Sequence, residues 1–442
     1  MAQLMEPTNL YAADFDRLVG RLDGAWSHFA DARRAAFDRF NELGFPTTKH
    51  EEWRFTNLQP IVKTAFVPAE PGAPVTADTI DHLAFAAIGG CRIVFVDGFY
   101  RSDLSNLADL PAGMRVLSLG EAADDALVCD HLGRYAATDD SLTALNTAFA
   151  ADGVVVHVEK NVNVEQPIHV VYYSTAGDRP QVTHPRNLIV VETGGSATVI
   201  EHYASDETGD IFSNAVTEAV IADNAQLHHY LLEREHEQAF NVATLRVQQG
   251  RDSRLESHSI LLGGGLVRNN IHVEMTGEGA HGLINGLYLP HGDQHMDNHM
   301  RVVHAAPHCD SRQYYKGILD GSSSGVFTGR IVVNEGAQKT DAVQSNTNLL
   351  LSNSARIDTK PQLEIYADDV KCTHGATTGQ IDEKALFYLR SRGLSESAAR
   401  GLLIYAFAHE SIDRMKLESV RGIIEKLLVH RLPQIELLEG LL

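Results

Sequence analysis

The chain is poor in cysteine, in positive charge and in long apolar runs. Its four cysteines (Cys91, Cys129, Cys309, Cys372) are scattered with no CxxC pair, which excludes a disulfide framework and fits a reducing compartment. Lysine and arginine number 37 against 58 acidic residues, a net charge of −21. That balance argues against a nucleic-acid backbone or an anionic membrane surface as the main partner. No apolar run approaches the ~18 residues of a bilayer span. The N-terminal stretch MAQLMEPTNLYAADFD has neither the basic region nor the apolar core of a signal peptide. A soluble, cytoplasmic chain is expected. GxxxxGK[ST], GxSxG and HExxH are all missing; GGSATV (194–199) and GGGLVRNN (263–270) are glycine-rich but carry no lysine. No nucleotide is therefore expected on this chain.

What is present is ordinary for a globular protein of two or three domains: 442 residues, 44% hydrophobic and 21% charged. Residues 14–43 read as a long helix or helix pair, because Phe15, Leu18, Leu22, Trp26, Phe29, Phe37 and Phe40 form a stripe of helical period. Gly44 and Pro46 stop it. TTKHEEWRFTNL (47–58) follows, then a Pro-rich stretch at 68–74 that reads as a linker. Strands are expected at 92–96 and near 115–119, and helix returns over 121–150.

From about 154 the pattern is β for more than 200 residues, and it repeats. A small residue follows each short apolar strand and turn, at Ala197, Ala225, Ser253, Ala280, Cys309 and Ala337. The steps are 28, 28, 27, 29 and 28 residues, with a shorter step of 18 to Ala355. A fixed period of this size signals a solenoid whose coils bury their apolar faces against one another. With strands and turns in each repeat, the expectation is a parallel β-helix, the small residue sitting where the coil turns a corner. The competing reading is a β-sandwich of evenly spaced hairpins. Boundaries follow: 1–90 a helical N-terminal domain with its linker, 91–153 a mixed α/β lead-in, 154–372 the β-helix core, and 373–442 a helical C-terminal domain.

The last β-stretch, 363–371, runs into Cys372 and His374, two residues apart. In an extended segment both side chains share a face, and a thiolate with an imidazole suits iron, zinc or copper(I). Two ligands are half a site, so the rest would come from elsewhere in the chain or from a second chain. The alternative is that Cys372 packs as a small hydrophobe and His374 caps a turn before Gly375. Beyond Asp382 the chain is helical, at 385–393, 395–415 and 417–431, with Lys426, His430 and Arg431 suited to the last helix's C-terminal dipole. LLIYAF (402–407) is apolar all round, which calls for cover on more than one side; the solenoid or a neighbouring helix is expected on one and a partner protein on the other.

Five histidines, His291, His295, His299, His304 and His308, crowd residues 291–310. On a helix the first three would line one face, but this segment lies in the β-repeat, where they scatter over faces and corners; structural or solvated roles are the better reading. A β-helix polysaccharide lyase or glycosidase would need an acid–base pair, for which Asp341, Asp368 and Asp369 are candidates. The acidic chain and its 7% aromatics speak against a sugar platform.

VFTGRIVV (326–333), AQKTDAVQSNTNLLLS (337–352), PQLEIYADDVKCTHGATTGQID (361–382) and ALFYLRSRG (385–393) resemble the SufB/SufD scaffold family of iron–sulfur cluster assembly. HEEWRFTNL (50–58) resembles the N-terminal signature of its SufD branch. The likeness covers most of the chain and is strongest over 290–415. It implies a right-handed parallel β-helix between helical terminal domains and a scaffold rather than an enzyme. It also implies end-to-end pairing with SufB and a SufC ATPase held by the C-terminal helices, with a transient iron–sulfur cluster forming at the SufB–SufD junction. Carried onto this chain, the junction residues are His374 with Cys372 beside it. The ATPase contacts would fall on Tyr388, Arg390, Leu403, Tyr405, Phe407, His409 and Glu410. Closure of two ATPase subunits would then strain the junction through the C-terminal helices. Self-pairing of the isolated chain into a homodimer and binding of a flavin stay open.

Overall fold

Strand after strand in the middle of this chain is buried on both faces, and the architecture follows from how that is arranged. The computed structural model describes residues 11–22, 26–83, 88–108, 110–136, 138–206 and 208–431. The β-repeat forms a parallel solenoid of about seven turns. Each turn lays one strand in each of two facing sheets: Ile211–Ile221, then Gln226–Arg234, then Phe240–Gln249 back beside the first. The hairpin sandwich is thereby excluded, since neighbouring strands of the repeat are parallel.

At one corner the stack is Gly195, Ala225, Ser253, Ala280, Cys309 and Thr340. Each carbonyl accepts from the first strand amide of the next coil at 2.8–3.1 Å. Ala225, Ser253, Ala280 and Cys309 hold the places expected of them and are fully buried. Ala197 lies two residues into its strand, paired with Leu227, and Gly195 takes the corner instead. Ala337 falls in the turn ahead of Thr340. Ala355 belongs to the opposite corner, preceding Arg356, whose amide donates to Ser323; this accounts for its short step.

Between the sheets runs an apolar core that includes Val199, Leu227, Leu255, Ile284, Met300 and Phe327. The outer faces are covered too. Helices Ala12–Arg21, Ala30–Leu43 and Ser141–Phe149 pack Phe15, Phe37, Phe40 and Phe149 onto Phe212, Val242 and Leu266 of one sheet. Helices Glu383–Ser391, Glu396–Ile412 and Glu418–Arg431 pack Ile404, Ala408 and Ile412 onto Tyr230, Ile260 and Leu287 of the other. The stripe over 14–43 is thus a helix pair. Of the last helix's basic residues, His430 and Arg431 have side chains outside the description.

The lead-in is continuous with the solenoid. Cys91–Val96 adds to the second sheet parallel to Ile168–Ser174, and Met114–Ser118 closes the first antiparallel to Val154–Val158. The Pro-rich stretch is tied down, since Val67–Pro68 pairs with Gln181–Val182. A fully buried ion pair, Arg186 Nη2 to Glu218 Oε1 at 2.6 Å, anchors this end; Glu218 also accepts the backbone amides of Gly133, Tyr135 and Ala136. The other end is open. Arg356–Ile365 and Lys371–Gly379 are the terminal strands of the two sheets. The last strand therefore runs through Cys372 and His374 to Gly379 before any helix begins, past the sequence boundary at 372.

Candidate functional site at the open end of the solenoid

Residue alternation sets the site. In the penultimate strand of the second sheet, Ala342, Gln344, Asn346 and Asn348 point inward and are almost completely buried. Cys372, His374, Ala376 and Thr378 stand in register with them, so their side chains continue the inward face. No further coil covers them. His374, Ala376 and Thr378 are exposed and Cys372 is half-buried. The Cys372 side chain packs beside Ala342 and Val370 in a small apolar cluster with Ile331 and Ala367. Burial pushes its thiol up from the ordinary value, so the group stays protonated until a bound cation displaces the proton.

The backbone there is equally incomplete. Lys371 N donates to Thr340 O at 2.8 Å, so by alternation the amides of Cys372, His374 and Ala376 face away from the sheet. This is an unpaired strand edge, the form of surface that accepts another strand. Ile365 and Tyr366 on the same last coil are exposed large side chains. The thiol and imidazole fit soft-metal chemistry as a partial donor set. Among the described residues no group of three His, Cys, Asp or Glu gathers as a metal site. Iron–sulfur clusters take four protein ligands, typically thiolates, so the described residues supply at most part of a site.

The five crowded histidines do not converge. His295 bonds Ser324 Oγ at 2.7 Å on the outer face, His299 lies on that same face, and His304 points inward to Ser311 Oγ at 2.9 Å. His291 pairs with Glu237 at 3.0 Å and His308 sits at a turn with φ 58°. Two of the three carboxylates weighed for an acid–base role are engaged: Asp341 pairs with Arg312 at 3.1 Å and Asp369 with Lys339.

On the C-terminal helices the expected contact residues divide. Tyr388 is exposed, and Arg390 bonds Glu396 at 3.2 Å on the surface. Leu403 and Tyr405 are half-buried. His409 lies between Asp413 and Glu425, at 3.1 and 3.2 Å. Phe407 and Glu410 are already in use: Lys316 lies over the Phe407 ring at 4.2 Å, bonds its carbonyl at 3.1 Å and pairs with Glu410. Phe387, which the sequence did not single out, is 75% exposed beside Tyr388 at 56%. A phenylalanine in ALFYLRSRG reads as core until the packing is known. The all-round apolar helix is accounted for on one side, where Ile404, Ala408 and Ile412 meet the solenoid, while Ala406 faces out.

Among the described residues no helix is long and apolar enough to cross a membrane. Residues 8–170 match the SufBD protein N-terminal region, and residues 172–407 match the SufBD core domain of SUF system FeS cluster assembly. The chain is 34% identical to the iron–sulfur cluster assembly protein SufD of Escherichia coli over 88% of its own length and 90% of that protein's. It is also 34% identical to an iron–sulfur cluster assembly SufBD family protein of Synechocystis, over 90% of this chain and 89% of the relative. Against the chloroplastic protein ABCI7 of Arabidopsis thaliana it is 31% identical, over 85% and 80%. A β-solenoid open at one rim, closed at the other and matched along both its parts places the chain in the SufBD family of SUF-system iron–sulfur cluster assembly proteins.

Proposed function

We propose that this chain is the non-catalytic scaffold subunit that pairs with SufB, with nascent iron–sulfur clusters forming at their junction and His374 and Cys372 supplying this chain's share of the donors. The observation that carries the reading is the uncovered last strand, Lys371–Gly379, which presents both residues beside an unpaired edge. A strand added from the sister chain would satisfy the free amides, cover the inward-facing row and bring the missing ligands. A site split between two chains holds a cluster while they are docked and surrenders it when they part, because ligands leave together. Without the sister chain, the same edge offers itself to a second copy, giving a homodimer.

The ATPase subunit SufC docks on the C-terminal helices, around Phe387 and Tyr388 with Arg390, Leu403, Tyr405 and His409. Phe407 and Glu410 act from behind, by fixing the helix to Lys316 of the solenoid. The cluster is cargo; ATP is hydrolysed in the partner.

Anaerobic reconstitution with the sister and ATPase subunits, read by visible absorption, tests this assignment. His374→Ala is expected to abolish cluster build-up while the ATPase subunit still co-purifies. Normal cluster formation by that variant sinks the site assignment.

A further inference from the structure

The segment 47–58, prominent in the sequence, walls a groove of about 540 Å³ on the outer face of the first sheet, apart from the Cys372–His374 strand of the second. Its floor is a row in strict register across four coils: Arg246 opposite His272, His272 opposite Arg301, Arg301 opposite Arg330. Neighbouring strands lie about 4.8 Å apart, and like charges placed directly opposite are destabilising. The row holds one directly opposed pair of like charge, Arg301 and Arg330, at the groove floor.

The arginines nearby differ in their commitments. Arg268 is paired with buried Asp297 at 2.5 Å and lies on Trp53. Arg330 bonds Glu364 at 2.6 Å. Arg246 is half-buried; its Nη1 donates to His272 Nδ1 at 2.7 Å, and its Nε has no partner among the described residues. His272 therefore accepts at Nδ1 and carries its proton on Nε2. His299, buried beside it, has an unpartnered Nδ1. Arg301 is exposed at the groove's mouth. Carboxylates are present as well. Asp140 is turned to the amides of Leu142 and Thr143, and Glu51 to Lys360, while the exposed Asp139 and Glu52 line the groove within electrostatic reach of Arg246.

We propose that this groove binds a small molecule carrying phosphate groups. A half-buried guanidinium with an unpartnered Nε is met best by an anion, and a cavity of this size is of the scale that holds a nucleotide-sized ligand. Donors are spread over successive rungs rather than concentrated in one fork. That arrangement suits tetrahedral oxyanions, which accept from several directions, better than a planar carboxylate that one guanidinium satisfies.

Calorimetric titration of the full chain with inorganic pyrophosphate, and in parallel with citrate, tests the proposal. Pyrophosphate is expected to bind, more weakly as salt rises, with Arg301→Gln weakening it about tenfold, the loss of one charge-assisted contact. Arg251→Gln, on an exposed turn paired with Asp252, is expected to leave binding unchanged. Arg301 is exposed, so its variant should fold; a matching thermal melt verifies this. Absence of pyrophosphate binding at millimolar concentration, tighter binding of citrate, or unchanged affinity in Arg301→Gln overturns it.

Discussion

His374 stands in register with Gln344, and Gln344 with Gln313, whose side chain accepts from it at 2.9 Å. The three occupy one inward-facing track, yet Gln313 and Gln344 are buried and His374 is bare. The difference is that no coil follows. The imidazole on this track is left open to solvent.

Ala376 lies on the same edge with its amide turned outward. Proline is tolerated at an edge position whose N–H faces solvent, so Ala376→Pro is expected to preserve the fold and block strand addition. Analytical ultracentrifugation with the sister subunit, or of the chain alone if it self-pairs, reads the outcome; undiminished association means the edge is not the interface.

Phe387 and Tyr388 are expected to anchor the ATPase subunit. Exposed aromatics of this kind dominate many interfaces, and truncating one typically costs about 2 kcal/mol of binding or more. The double substitution to alanine should weaken co-purification with the ATPase without lowering the melting temperature. Retained affinity would shift the docking face elsewhere on the helices.

Glu218 is buried with Arg186 and gathers three backbone amides from the segment before helix Ser141–Phe149. Glu218→Ala leaves the Arg186 guanidinium charged and without its carboxylate in the interior, a loss of about 3–5 kcal/mol. Urea unfolding should register it. A change below about 1 kcal/mol, the scale of an exposed pair, would show that the pair is not dry.

Stability should fall with acidification below neutrality. Burial holds His169, His184 and His258 down to about 3 and His304 to about 4, against about 6.5 in an unfolded chain. Between those limits the unfolded state binds more protons, so stability is full above pH ~6.5 and is lost as the pH drops, by up to about 1.4 kcal/mol per pH unit for each histidine. Glu235 opposes this: burial raises it to about 7, and its contribution is present at low pH and fades as the pH rises through that value. Four groups outweigh one. Urea midpoints measured from pH 7 to 5 should decline; a flat or rising series would mean water reaches these rings.

The repeat was legible because a corner leaves room only for a small side chain, and Ala225, Ser253, Ala280 and Cys309 obey that limit. The reading slipped at Ala197, Ala337 and Ala355, because alanine is also acceptable inside a strand, in a turn and at the opposite corner. Cys372 and His374 were legible as a shared face from their spacing, while the length of their strand was not. KCTHGATTG lacks the apolar alternation that marks half-buried strands, since nothing covers it. The row Arg246, His272, Arg301, Arg330 was invisible: its members lie 26–29 residues apart, differ in type and meet only through the coil register.

By itself the sequence determined the solenoid, the helical units that precede and follow it in the chain and the pairing of a thiol with an imidazole at the close of the β-repeat, since each follows from local periodicity and local volume. Tertiary structure alone decided which rim stays open, that Phe407 and Glu410 serve Lys316 while Phe387 faces solvent, and that three arginines and a histidine from four coils align along one groove. Those outcomes depend on which coil lies beside which, and neighbours across a sheet are set by the whole wound chain.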